Sequence, residues 1–373
     1  MSEYTAENTF VLAKRINNSK RSYLLVNPLQ AKHIAVSPSV SLGMMSALGE
    51  MLARKYPDTG LVIGFAETAT AIAAAAAEHF GNGCIYLHTT REEEKNCGEW
   101  VYFSEEHSHA SEQKLCAENL GKRIDNTSRI IFIDDELSTG KTLINIVNRL
   151  RELFPQIADR EIIAASVINR LSRENEQRLE AAGIKGEYLV KLPDEDLSAA
   201  VEKYSVSPAK PVSEQCSEYI RIASENKLIN PRRGVDISEY AANCKAFSHE
   251  LSGKIIFAQN SRVLILGTEE CMYPALVFGR ELEKRYPSAV IKCHATTRSP
   301  IGICTDKDYP INSGYLLHSF YDTNRQTYIY NIGEYDAAVI ITDSGRASDY
   351  SCKEITAALK EKGCGKVYIV EGA

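Results

Sequence analysis

The sequence predicts an α/β protein made of two parallel-sheet units in tandem. Three observations carry this. Short apolar runs alternate with helix-period patterns along nearly the whole chain. The alternation breaks once, over residues 193–235, where Pro, Ser and charged positions concentrate. Beyond the break, landmarks of the first half return in the same order.

In the first half, Leu61, Val62, Ile63, Gly64 and Phe65 read as a buried strand, and an Ala-rich helix over 70–80 follows. Cys84, Ile85, Tyr86 and Leu87 make the next strand. Ile130, Ile131, Phe132 and Ile133 form a third, closed by the acid pair Asp134 and Asp135. A loop of Ser138, Thr139, Gly140, Lys141 and Thr142 comes next, then a helix-period pattern over 143–154 and a strand over 162–168. The 193–235 stretch reads as a connection with one or two short helices.

In the second half, Val263 to Glu269 parallels Leu61 to Glu67, with a helix over 275–285 after it. His294, Ala295, Thr296, Thr297 and Arg298 parallel His88, Thr89, Thr90 and Arg91. Ala338 to Arg346 parallels the acid-pair strand. The offsets are 203 for Gly64 and Gly267, 207 for Thr90 and Thr297, and 209 for Asp134 and Asp343. Such small drift favours two related units, although short strand–helix units also resemble one another by chance. In the second unit the acid pair has become Asp343 and Ser344, and the hydroxyl-rich loop has no counterpart. The expected organisation is a first domain over 1–200, a connection over 201–235 and a second domain over 236–373.

Composition narrows the function. The chain has 373 residues, 44% hydrophobic and 25% charged, an ordinary globular balance long enough for two cores. A net charge of −6 gives no basic footprint for nucleic acid. No apolar run approaches a membrane span, and the polar start does not read as a signal peptide. The ten cysteines show neither Cys-x-x-Cys pairs nor zinc-type spacing. They read as reduced thiols of a cytoplasmic protein.

The acid-pair strand and its loop are the chemically richest stretch. Carboxylates at a strand's carboxyl end can accept hydrogen bonds from neighbouring hydroxyls. A hydroxyl-rich loop opening a helix offers unpaired N–H groups and a positive dipole end to a phosphate. Both within one short span suit a ribose phosphate. The plain alternative is a strand–turn–helix whose acids merely cap the helix. A Walker-type loop is excluded: Gly140, Lys141 and Thr142 match its end, but Asp135 stands where its first Gly is required.

This stretch resembles the phosphoribosyl pyrophosphate (PRPP) loop of type I, orotate-like phosphoribosyltransferases. Glu136 departs from the small apolar residue usual there. Thr297, Arg298, Ser299 and Pro300 match the signature of the TRSP domain, found C-terminal to a phosphoribosyltransferase domain in a two-domain family associated with tellurite-resistance and stress-response gene clusters. Arg21 to Pro28, Lys32 and His33, and Glu105 to Ala110 also fit that family. Gly commonly precedes the Lys there; this chain has Ala31.

The resemblance implies a type I phosphoribosyltransferase fold for the first unit, with a possible degenerate relative as the second. It implies magnesium-dependent transfer of 5-phosphoribosyl from PRPP to a base-like acceptor with release of pyrophosphate, or the reverse, in nucleotide-like metabolism. A non-catalytic PRPP or nucleotide sensor is the alternative. Asp134 and Asp135 would bind the ribose hydroxyls, directly or through magnesium-bound water. Ser138, Thr139, Gly140 and Thr142 would hold the 5-phosphate; Lys141 either adds charge or is a solvated helix-start residue. Phe65, Ala66, Glu67 and Thr68 would meet pyrophosphate, or else form an ordinary turn. Arg91 and Lys95 are candidates for pyrophosphate contact, set against the acid run between them, which also reads as a solvated face. Lys32 and His33, in an N-terminal hood, and His107 and His109 are candidate acceptor contacts; a surface Lys-His pair and a helix start are the plain readings. Thr297, Arg298 and Ser299 could present a second anion site, or the second unit is a scaffold. No dedicated protein metal ligands are expected, only Mg2+ carried with PRPP or pyrophosphate. An internal pseudo-dimer or a homodimer is possible.

Overall fold

The computed structural model describes every residue except 1–2, 17, 19–20, 95–96, 104–112, 215 and 346. The chain divides into two compact units. The first comprises Met1–Ala6, Gly43–Glu195 and Ile229–Ala242; the second comprises Glu7–Leu42, Asp196–Leu228 and Asn243–Ala373. Among the described residues no helix is long and apolar enough to cross a membrane.

The first unit is built on a six-stranded sheet. Its order is Val235–Asp236, Ile85–His88, Thr59–Gly64, Arg129–Leu137, Glu161–Asn169 and Ile184–Lys191, all parallel but for the first, antiparallel strand. Ile130, Ile131, Phe132 and Ile133 are fully buried because strands flank them on both sides and both faces are covered. Helix Lys141–Leu153 buries Leu143, Ile146, Val147 and Leu150, one helical face. Helix Thr70–Ala77 is buried at every residue, since its alanines let it lie close to the sheet. Gly64 permits that approach: a Cβ there would lie 2.6 Å from the Cβ of Ala73.

The second unit has a five-stranded, all-parallel sheet ordered Tyr219–Ala223, Lys366–Glu371, Ala337–Thr342, Arg262–Gly267 and Val290–Ala295. Its four core strands repeat the order of the first unit's, while its fifth, Tyr219–Ala223, comes from before that core and not after it. An 18-residue helix precedes the first core strand in each half, Pro38–Lys55 and Ile237–Lys254. A helix then leads to the neighbouring strand: Thr70–Ala77 in the first half, Tyr273–Arg285 in the second. An antiparallel hairpin follows, Trp100–Phe103 with Gln113–Cys116, or Gly314–His318 with Gln326–Tyr330. The chain then crosses to the other side of the first core strand in both. The sequence repeat is thus a repeat of fold.

Several expectations need correction. The acid pair does not end its strand: pairing with Glu161–Asn169 continues through Asp134, Glu136 and Leu137. The 193–235 stretch is more than a connection, because Tyr219–Ala223 and Val235–Asp236 are edge strands of the two sheets. Separately from these corrections, Glu7–Leu42 is part of the second compact unit. Its hairpin, Val11–Lys14 with Tyr23–Val26, packs Ala13, Leu24 and Val26 against Ile301, Tyr309, Ile311 and Tyr330. Finally, the ten cysteines are not all thiols. Cys97 and Cys116 form a disulfide, and the other eight are free. A separation of 19 residues hid a pair that the first unit's hairpin brings together.

Candidate active site

Loops from three adjacent parallel strands meet at the carboxyl edge of the first sheet. Strand Thr59–Gly64 is central, between Ile85–His88 and Arg129–Leu137. From it the chain runs to one neighbour through helix Thr70–Ala77, while the acid-pair strand lies on the other side. Such a reversal of winding at the carboxyl ends of parallel strands is the usual place for a ligand in α/β sheets.

Hydrogen bonds weld the three loops. Phe65 N–H donates to the Ile133 carbonyl at 2.9 Å, and Thr89 N–H to the Gly64 carbonyl at 2.9 Å. Ala66 N–H donates to Thr89 Oγ1 at 2.9 Å, and Gln113 Nε2 to the Ala66 carbonyl at 2.9 Å. The Thr89 hydroxyl donates to Gln113 Oε1. Thr68 Oγ1 donates to Asp135 Oδ1 at 2.7 Å. The peptide bond between Ala66 and Glu67 is cis.

The acid pair is half-buried. Asp134 Oδ1 accepts a 2.9 Å bond from the Asp135 amide. Burial pushes the Asp135 carboxyl above its ordinary range; Glu136 adds to this, and hydrogen bonds with Asp134 and Thr68 oppose it. Glu136, the departure from the family pattern, faces Arg170 at 3.6 Å, with both side chains largely buried. Gly140 caps helix Lys141–Leu153 at a φ of +71°, and a Cβ there would lie 3.2 Å from Leu179. Lys141 is exposed at the helix start. At that helix start Lys141 N–H points to Thr139 Oγ1 at 3.4 Å and Ile144 N–H donates to the Gly140 carbonyl at 3.0 Å, and the positive end of a helix dipole suits an anion.

Arg91 is half-buried, just beyond the end of strand Ile85–His88. The acids after it do not form one solvated face: Glu92 is buried, Glu93 pairs with Lys114 at 3.0 Å, and Glu94 accepts from Asn230. Lys95, His107 and His109 lie outside the described residues.

Lys32 and His33 belong to the second unit. Both are buried there, and Lys32 Nζ donates to the carbonyls of Glu269 at 2.8 Å and Thr296 at 2.9 Å. His33 Nε2 lies 3.4 Å from Thr297 Oγ1. The Lys-His pair is thus no surface pair. Ala31 before it has a φ of +60°, the left-handed conformation that Gly adopts without strain.

The second-unit candidates also differ from a plain anion site. Arg298 Nε donates to Glu269 Oε2 at 2.8 Å, and its Nη2 lies 3.6 Å from Glu270. Arg325 Nη2 donates to the same Glu269 oxygen at 3.1 Å, and Ser319 to the other. The fully buried Glu269 carboxylate thus engages the guanidinium expected to meet a ligand. Thr297 N–H and carbonyl are paired with Tyr328. Ser299 N–H donates to Thr297 Oγ1 at 3.2 Å.

Sequence reasoning missed Gln113 and the Glu136–Arg170 pair. Thr89 carried a signal, because it lies in the repeated stretch; Gln113 carried none.

Comparison with known proteins agrees with this layout. A family profile described as a phosphoribosyl transferase matches residues 9–192. A second, described as the TRSP domain C-terminal to that phosphoribosyltransferase, matches 231–359. No curated protein matches the chain. Solved structures similar to it include adenine phosphoribosyl transferase from Trypanosoma brucei, at 15% identity over 51% of this chain and 80% of that one, TM-score 0.37. The adenine phosphoribosyltransferase from Rhodothermus marinus is similar at 15% identity over 50% and 96%, TM-score 0.36. Orotate phosphoribosyltransferase from Aeropyrum pernix is similar at 16% over 49% and 88%, TM-score 0.32. With its two domains matched in order, the chain belongs to the family in which a phosphoribosyltransferase domain is followed by a TRSP domain.

Proposed function

We propose that the first unit binds PRPP with magnesium and transfers its 5-phosphoribosyl group to a base-like acceptor, releasing pyrophosphate, or runs the reverse reaction. The observation that carries this is the bond from Thr68 to Asp135, which joins the 65–68 turn to the acid pair at the sheet's carboxyl edge. A ligand with a sugar diol between two phosphate-bearing ends suits such an array. The diol meets carboxylates, one end meets the helix start at 138–142, and the other meets the 65–68 turn. The family match supports the same reading.

In the forward direction an acceptor nitrogen forms a bond to C1 of the ribose as the C1–O bond breaks. The bonding pair leaves on pyrophosphate, and the nitrogen's proton passes to solvent. Positive charge grows on the ribose, so the nearby carboxylates of Asp134 and Asp135 orient its hydroxyls and favour that charge. Arg91 is assigned to the leaving group, where a planar fork of donors matches phosphate oxygens. The donor set fits magnesium, an ion held by one or two carboxylates with phosphate and water oxygens. When bound it would neutralise pyrophosphate charge.

The test is incubation with PRPP, magnesium and a panel of bases, with pyrophosphate release as the readout. Release with at least one base is expected, and its loss in the doubly substituted Asp134→Asn, Asp135→Asn protein. Tight PRPP binding without release for any base would overturn transfer in favour of sensing.

A further inference from the structure

We propose that Gln113 is a positioning residue for the pyrophosphate end of the site. This rests on the phosphoribosyl reading above and goes beyond it, because that reading gives Gln113 no role.

Gln113 opens the strand Gln113–Cys116, and its side chain closes a ring of hydrogen bonds around one residue of the 65–68 turn. Ala66 N–H donates to Thr89 Oγ1 at 2.9 Å; the Thr89 hydroxyl donates to Gln113 Oε1; Gln113 Nε2 donates to the Ala66 carbonyl at 2.9 Å. Gln113 is 2% exposed and Thr89 0%, so water cannot replace either partner. The ring also fixes the amide's orientation. The Ala66 carbonyl needs a donor, and the Thr89 hydroxyl, already accepting, needs an acceptor.

Both backbone polar groups of Ala66 are thereby held. Two residues on, Thr68 grips Asp135. The turn is pinned at both ends, and Gln113 supplies the pin that comes from outside the neighbouring strand ends. The second unit shows that the position demands a donor. There Glu269 takes Ala66's place, with its N–H on Thr296 Oγ1 at 3.0 Å, and its carbonyl is held by Lys32 Nζ. The same carbonyl is clamped twice in one chain by unrelated side chains. Only the first unit draws its clamp from the hairpin strand that ends in the disulfide at Cys116.

If Gln113 positions this turn, its loss weakens ligands that use the turn and spares those that use only the helix start. Calorimetric titration of the full chain with PRPP, inorganic pyrophosphate and ribose 5-phosphate, each with magnesium, tests this. Gln113→Glu keeps size and removes the donor; it should weaken PRPP and pyrophosphate roughly tenfold or more and leave ribose 5-phosphate unchanged. Protonation restores a donor on the Glu, so the deficit relative to wild type should shrink as the solution is made mildly acidic. Gln113→Leu should show the same deficit with no such recovery; if it fails to fold, Gln113→Glu alone decides. Equal weakening of all three ligands, or of none, overturns the positioning role while leaving the phosphoribosyl reading in place. Failure of the wild-type chain to bind PRPP overturns that reading and the role of Gln113 with it.

Discussion

Thr68 donates a 2.7 Å hydrogen bond to Asp135, across the boundary between two neighbouring strands of the first sheet. The bond ties the turn after Thr59–Gly64 to the acid pair, so the two ends of the site are set by one contact. Asp135 is held in a place that disfavours its charge, and its partners offset only part of that cost. A carboxylate kept under such conditions is a common mark of a working site.

Asp135→Asn tests this directly. With its pKa raised above the ordinary 3.8, the folded state holds the Asp135 proton more tightly than the unfolded state does. The stabilising term is full below the unfolded value and is lost as pH rises through the folded one. The variant should therefore melt above wild type at neutral pH, with the advantage shrinking toward acid. PRPP affinity should fall about 10- to 100-fold, the worth of charged hydrogen bonds. Melting curves across pH, paired with titration, check both; a variant that melts lower at neutral pH would sink the claim of a strained carboxylate.

Ala31 sits at a φ of +60° in a buried stretch of the second unit. A Cβ in that region costs about 1–2 kcal/mol, and glycine gives back some of this through the unfolded chain. Ala31→Gly should stabilise the protein by about 0.5–1 kcal/mol, read as a higher denaturant midpoint.

His294 is fully enclosed. Its Nδ1 accepts from the Ala295 amide at 2.7 Å, which leaves Nε2 to donate to the Tyr330 carbonyl at 2.7 Å. Burial lowers its pKa from 6.5 to about 4. The folded state thus binds this proton less readily than the unfolded state. Stability is full above 6.5 and is lost as pH falls toward about 4. In that window the second unit should lose stability more steeply than a His294→Gln variant does. Parallel slopes in the two proteins would show that another group governs the acid limb.

Thiol counting checks the disulfide. Denatured without reductant, the chain should expose eight reactive thiols, matching the free cysteines. Closing a loop across a separation of 19 residues restricts the unfolded chain. Loss of the bond through Cys116→Ser should cost about 3 kcal/mol in the first unit. Ten reactive thiols without reductant would refute the pairing.

The sequence by itself determined the two α/β units, the acid pair at the end of a buried apolar run, the loop and helix after it, and the repeat. These are local signals. A buried parallel strand reads as an apolar run, a helix as a 3.6-residue period, and a loop opening a helix as a short string. Tertiary structure decided what depends on pairing at long range. It continued the acid-pair strand past Asp134 because Glu161–Asn169 runs beside it. It placed Lys32 and His33 in the second unit, where buried carbonyls take up the ammonium. It set Arg298 beside the Glu269 carboxylate. It joined Cys97 to Cys116 and brought Gln113 to Ala66. No spacing along the chain encodes these contacts. Each arises only when a sheet or hairpin brings distant residues within hydrogen-bonding reach, away from competing water.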